Sequence, residues 1–108
     1  MNYRDSTIAE LAYLRRIVKM DKKELKTMPS GRLRRKRSHG KIYYYLEKNG
    51  NLISLRNKSQ EKELYLRKEQ LTHRIHNAEI NIPLLERLLR RYRPVIETEE
   101  HAFGSILV

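Results

Sequence analysis

Two dipeptides, His39-Gly40 and Asn49-Gly50, restrict what this chain can fold into more than any other feature. Between Gly31 and Asn57 polar and apolar residues alternate with a period of two, and the two pairs cut that stretch into three segments of strand length. Asn-Gly is the stronger signal, since both central positions of a type I′ turn need positive φ. Taken as two-residue turns, the pairs fix a register. Leu33 then faces Leu46 and Ile53, Arg35 faces Tyr44 and Leu55, and Arg37 faces Ile42, all on one side of an antiparallel meander. The other side carries Arg32, Arg34, Lys36, Tyr43, Tyr45, Ser54 and Arg56. One face is apolar enough to lie on a helix, while the opposite face interleaves cations with two aromatic rings.

Helices are expected on both sides of the meander. Thr7-Ile8-Ala9-Glu10 has capping-box spacing, and Ile8, Leu11, Leu14, Val18, Leu25 and Met28 make an apolar stripe. Pro29 should end that helix at about Met28. Arg15, Lys19, Lys22 and Lys26 form a second, basic stripe along it. Beyond the strands, Asn57 or Ser59 is suited to cap a second helix with acidic Glu61 and Glu63 in its first turn, and Leu64, Leu71, Ile75, Ala78 and Ile82 give its buried side. Pro83 predicts a break near Asn81, followed by a short third helix to about Arg93, with Leu84, Leu85, Leu88, Leu89 and Tyr92 as its apolar side. The expected fold class is α+β, with an N-terminal helix, a three-stranded antiparallel β-meander and a C-terminal helical hairpin. Residues 1–93 read as a single basic nucleic-acid-binding domain. Residues 94–108 read as a tail, first acidic (Glu97, Glu99, Glu100) and then apolar (Phe103 to Val108).

Charge sets the functional reading. From Arg15 to Lys41 there are twelve Lys and Arg against Asp21 and Glu24, a local net charge of +10; the other twelve cations meet eleven acids, so the remainder is nearly neutral. Like charges held together on a folded surface repel and are best compensated by a polyanion. The 108 residues suffice for one modest core, no apolar run approaches the roughly 20 residues of a membrane span, and there is no Cys to form a disulfide. These features read as a cytoplasmic protein without membrane partners.

Arg neutralises phosphate with a bidentate fork and Tyr offers a flat face to an unstacked base, so the run Arg32 to Arg37 beside Tyr43-Tyr44-Tyr45 builds a stacking and neutralising surface. The plainer reading is a hairpin whose edge is protected by charge, but five cations in six residues exceed what edge protection needs. Tyr44, on the helix-facing side, counts as core. Arg87, Arg90, Arg91 and Arg93 read as partners of a helix dipole. Glu69, His73 and His76 share one helical face, yet without Cys or a fourth ligand they make a poor metal signature, and no cofactor is expected. There is no phosphate-cradling Gly-rich loop, serine elbow or two-metal acidic pair. A binder, not an enzyme, is expected.

The segment Met28-Pro29-Ser30-Gly31-Arg32-Leu33, then Gly40-Lys41-Ile42-Tyr43-Tyr44-Tyr45, then a Leu/Lys/Glu-rich helix resembles small proteins of phages and mobile elements in low-GC Gram-positive bacteria. It is similar to the N-terminal region of several type II-A anti-CRISPR proteins. The resemblance covers about residues 7–93. Longer relatives append a nuclease-like domain, which these 108 residues do not include, so the resemblance implies a Cas9 inhibitor that binds structured RNA such as a guide RNA and interferes with its loading. On that reading Arg32, Arg34, Lys36 and Arg56 hold phosphates, Tyr43 and Tyr45 stack, and Arg35, Arg37 and Lys41 reach across a groove from the hairpin tip. Lys19, Lys22 and Lys26 add longer-range attraction. The same hairpin signals also resemble the arm-type DNA-binding domain of phage integrases, from which the long basic helix before the sheet departs. A third alternative is a basic structural or protein-interaction module.

Overall fold

The computed structural model describes residues 2–93, so the expected tail at 94–108 lies outside the described residues. The chain runs through helix α1 (Tyr3–Leu25), strands β1 (Arg32–Ser38), β2 (Lys41–Lys48) and β3 (Asn51–Ser54), and helix α2 (Ser59–Arg91). The strands form one antiparallel sheet in the order β1-β2-β3. The α+β class and the meander are therefore as expected. Both turns have the required backbone, with φ of 51° and 76° at His39 and Gly40 and of 52° and 77° at Asn49 and Gly50. The register follows from them: Leu33 lies opposite Leu46, Arg35 opposite Tyr44, Arg37 opposite Ile42, and Leu46 opposite Ile53. The Leu55 amide donates to the Tyr44 carbonyl at 3.0 Å, carrying the pairing one residue past β3.

The helices differ from expectation at their ends and in their number. Asn2 caps α1, its Oδ1 accepting from the Asp5 amide at 2.9 Å, so the helix begins four residues before the Thr7 capping box. Thr7 is buried inside the helix and donates its hydroxyl to the Tyr3 carbonyl. α1 ends at Leu25, and residues 26–28 turn toward Pro29. Neither Asn57 nor Ser59 caps α2. Asn57 takes φ of 62°, and Lys58 occupies the cap position without a side-chain hydrogen bond.

The expected C-terminal helical hairpin is instead one helix of 33 residues that passes through Pro83 without a break. A proline inside a helix costs about 3 kcal/mol, because it removes one amide donor and crowds the preceding turn. Packing on both sides of Pro83 offsets that cost. Pro83 itself is exposed, while Ala78, Ile82, Leu85 and Leu89 continue one stripe past it toward α1.

That stripe shows where the true hairpin is. On α1, Thr7, Leu11, Leu14, Val18, Asp21 and Leu25 recur at alternating steps of four and three, and on α2 Leu71, Ile75, Ala78, Ile82, Leu85 and Leu89 do the same. All twelve are buried or half-buried. This is the heptad spacing of a two-stranded coiled coil. The helices run antiparallel: Tyr3 packs edge-on against Tyr92 with centroids 4.4 Å apart, Arg15 pairs with Glu86 at 3.0 Å, Lys22 with Glu79 at 3.1 Å, and Glu24 with Arg67 at 2.9 Å. Asp21 interrupts the apolar seam. Its Oδ2 lies 3.0 Å from Arg74 Nε as an ion pair, but without hydrogen-bond alignment, so this buried oxygen has no hydrogen bond. A buried charge at such a position costs stability and can specify which residues pair across a coil.

The sheet rests on the first half of α2 through Leu33, Leu46, Leu55 and Tyr65, with Tyr44 and Leu66 packed against that cluster. The crossing from α1 into β1 is clamped by α2. The Tyr65 hydroxyl donates to the Ser30 carbonyl at 2.8 Å, and Lys68 Nζ donates to the carbonyls of Pro29 at 2.9 Å and Gly31 at 2.8 Å. Gly31 sits at φ of 118°, and a Cβ there would lie 2.8 Å from Leu46 Cδ1. The molecule measures 73 × 33 × 21 Å. Among the described residues no helix is long and apolar enough to cross a membrane.

Gly31→Ala is expected to lower unfolding free energy by about 1–3 kcal/mol, since it forces a side chain into a strained backbone region against Leu46. Denaturant unfolding with an unchanged midpoint would show that the crossing relaxes around the methyl.

Candidate nucleic-acid interface

The type I′ turns place alternate strand residues on the face away from α2. In rows across the sheet that open face reads Arg32, Glu47 and Leu52, then Arg34, Tyr45 and Ser54, then Lys36, Tyr43 and, past the end of β3, Arg56. The open face also carries an acid. Glu47 stands opposite Arg32 and binds two of the expected phosphate ligands, Arg34 at 2.9 Å and Arg32 at 3.5 Å. The register alone gives the signal that finds it, because Glu47 pairs with Arg32 as directly as Tyr45 pairs with Arg34. The two arginines are half or more exposed and Glu47 is 38% exposed, so the pairs are weak and a phosphate can displace the carboxylate.

The end of the sheet near His39 and Gly40 is different. Among the described residues no carboxylate pairs with Lys36, Arg37, Lys41 or Arg56, so four cations gather there without an acid. Tyr43 lies between Lys36 and Arg56 with 37% of its surface exposed. Tyr45 is less available. It is half-buried, and Lys36 Nζ lies 5.1 Å from its ring centroid, over the face a base would use. Lys58 and Lys62, absent from the expected site, join Tyr43 and Arg56 around a shallow pocket where β3 gives way to α2.

Arg35 belongs to the other face. Its guanidinium makes a two-pronged pair with Glu69 on α2, at 2.6 and 2.8 Å, and lies 5.6 Å from the Tyr44 ring centroid. Those hydrogen bonds raise the Arg35 guanidinium above its already high ordinary pKa and hold the Glu69 carboxyl below the usual carboxylate range. Arg35 is thus a strut between sheet and helix. Glu69 keeps its place on the helical face with His73, but its carboxylate is engaged by Arg35. Tyr44 is half-buried against the core cluster, with Lys62 Nζ 4.4 Å from its ring centroid.

The basic stripe of α1 lies on the same flank of the coil as the sheet. In an antiparallel coiled coil equivalent flanking positions face one another. The Lys22–Glu79 and Arg15–Glu86 pairs mark one flank, and Tyr65, two heptads before Glu79, lies on it and carries the sheet. Lys19 and Lys26 are exposed beside that row. Of the stripe, Lys22 and Arg15 are engaged by acids of α2, and Lys19 and Lys26 carry its unpaired charge among the described residues. At the far end of α2, the Arg93 guanidinium approaches the Arg90 carbonyl at 3.4 Å, as a helix-dipole partner does.

The chain matches no family model, no curated protein and no solved structure.

Tyr43→Ala is expected to leave the fold intact and weaken binding of an unpaired RNA loop by about 1–3 kcal/mol, whereas Tyr44→Ala should destabilise the fold by roughly 2–4 kcal/mol. Equal unfolding midpoints for the two variants would contradict the assignment of faces. The Arg35–Glu69 pair sets a pH dependence. Because the folded Glu69 value is depressed, its contribution is complete above the ordinary value of 4.5 and is lost as pH falls through the lower folded value. Glu69→Gln should flatten the acid side of the stability curve, and an unaltered acid limb would rule out the strut.

Proposed function

We propose that the protein is a non-enzymatic binder of structured RNA, which it holds on the open face of its sheet near the β1–β2 turn. One observation carries the reading: Lys36, Lys41 and Arg56 share the open face with an exposed Tyr43, Arg37 stands beside them at the hairpin end on the reverse face, and none of the four has a carboxylate partner among the described residues. Phosphates gain most where cations are not already neutralised, and a ring between them gives a splayed base a surface to stack on. Arg32 and Arg34 extend the track once Glu47 releases them. Lys19 and Lys26, on the same flank, attract the strand from farther away.

The resemblance to type II-A anti-CRISPR proteins gives this reading its narrower form, in which the RNA is a guide RNA and the consequence is failure to assemble Cas9. A basic surface competing for the guide acts before the complex closes. The integrase-like alternative, with the sheet in the major groove of DNA, draws on the same cations. An exposed stacking ring at the centre of the patch favours unpaired RNA over a continuous duplex.

With four phosphates neutralised, the log-log salt dependence of binding to an RNA stem-loop should have a slope of about −3 to −4, at 0.7 to 0.9 per contact. Replacing Lys36, Arg37, Lys41 and Arg56 with Ser is expected to remove most of that slope and leave thermal unfolding unchanged. Arg35 is left out of the set because it braces the fold. A wild-type slope near zero would reject phosphate recognition. Duplex DNA bound more tightly than the stem-loop would move the assignment to the integrase-like reading. Equal inhibition of Cas9 whether the protein is added before or after guide RNA would reject the guide-competition form.

A further inference from the structure

The flank of the coil opposite the sheet has a chemistry unlike the rest of the chain. It is marked by the Glu24–Arg67 pair. Ile17 lies one heptad before Glu24 and Leu88 three heptads after Arg67, so both belong to that flank. Beside Ile17, Tyr13 and Met20 continue a stripe along α1; beside Leu88, Leu84 and Ile80 continue one along α2. Ile80 is 50% exposed, Leu84 54% and Met20 59%. The two stripes overlap in height, because the antiparallel pairing that sets Tyr3 against Tyr92 and Asp21 against Arg74 brings residues 13–20 level with the turns around Ile80.

Charge is missing from this flank. On the inner and outer rows that it occupies between residues 3 and 20 and between 77 and 88, Glu10 is the one charged residue. Those two rows carry no Lys or Arg over this length, and the first cations beyond them are Arg16 and Arg87 in the edge row that Ile80 occupies. The opposite flank, over the same length, holds Asp5, Arg15, Lys19, Glu79 and Glu86. Loss of charge together with exposed aromatic, aliphatic and Met side chains is the composition of a protein interface core. The seam beneath is incompletely covered. Leu14, Val18, Ile82, Leu85 and Leu89 are only half-buried in this part of the coil, and the sheet rests elsewhere, on α2 around Tyr65 and Glu69.

We propose that this flank is a self-association surface, on which a second copy of the chain docks across a two-fold axis to complete a four-helix bundle. Charge selects the occupant. A polyanion meets cations only at the edge of the patch, and two chains of net charge +11 approach most closely through a face from whose centre the cations are withdrawn. A two-fold interface sets one patch against itself, which a neutral apolar patch tolerates and a basic patch does not. The patch also carries complementary charge: Glu10 lies within it, while Arg16 and Arg87 stand on its rim, so each copy offers an acid to the other's arginines. In the bundle the second copy covers the half-buried seam, in the packing seen when two helical hairpins share one core. Both sheets then face outward. Two RNA-binding faces on one particle raise the effective concentration for a ligand with two loops.

The test uses the full chain, freed of nucleic acid by nuclease and studied by sedimentation equilibrium at a concentration on the order of 100 μM. The expected mass is about 26 kDa, twice the 13.1 kDa of one chain. Ile80→Glu with Leu84→Glu is expected to reduce it to one chain's mass with unchanged helical circular dichroism, since both residues are solvent-exposed in the single chain. A second variant guards against misfolding. The chain has no Cys, so Leu84→Cys should give a covalent dimer under mild oxidation while Lys19→Cys on the opposite flank does not. A wild-type mass of one chain, a folded Glu double variant that still dimerises, or equal cross-linking from both cysteines would each overturn the proposal.

Discussion

The antiparallel seam between α1 and α2 is the constraint on which the other parts depend. A three-stranded meander of this size has one apolar face and needs a platform to cover it. α2 is that platform, and α2 holds its course only because α1 packs along it. Without the stripe from Leu71 to Leu89 facing Thr7 to Leu25, nothing offsets the cost of Pro83 within the helix. The clamp on Pro29, Ser30 and Gly31 then converts the helix pair into a fixed origin for the sheet, because Tyr65 and Lys68 satisfy the backbone carbonyls that cross from one helix to the first strand.

From that origin the cations of the basic block separate into groups with different work. Arg35 faces inward and ties sheet to helix through Glu69. Arg32 and Arg34 share Glu47. Lys36, Lys41 and Arg56 are left beside Tyr43, and Arg37 at the hairpin end behind them, without an acid among the described residues. The block looks uniform as a string of residues, yet strand alternation sends its members to opposite faces, and the few carboxylates within reach decide which of them stay available. Surface ion pairs are weak, so the division is graded. It sets the order in which phosphates find the cations.

The coil divides the molecule in a second way. Its sheet-bearing flank carries acid–base pairs and the exposed Lys19 and Lys26, and its opposite flank is apolar and almost without charge over residues 3–20 and 77–88. One elongated element thus presents a charged side and an apolar side without the two interfering. Asp21 stands between them in the seam, where its ion pair with Arg74 places a buried charge that an all-apolar seam would lack.

The sequence by itself determined what rests on local geometry. His39-Gly40 and Asn49-Gly50 specify two-residue turns, and with a side-chain period of two those turns decide the register and face of Leu33, Arg35, Tyr43, Tyr44 and Tyr45. The concentration of cations between Arg15 and Lys41 is equally a property of the string. The tertiary structure decided everything that needs a partner distant in sequence. Pro83 signals a break when α2 is considered alone, and only the α1 seam shows why the helix continues. Thr7 has the spacing of a cap, yet pairing with α2 makes Asn2 the cap and buries Thr7. Arg35 resembles its neighbours in every local respect, and its removal from the binding face depends on Glu69, 34 residues away. Local backbone preferences act over a few residues and are written in the order of the sequence, whereas the burial and charge pairing that separate a strut from a ligand are fixed only when α1, the sheet and α2 come together.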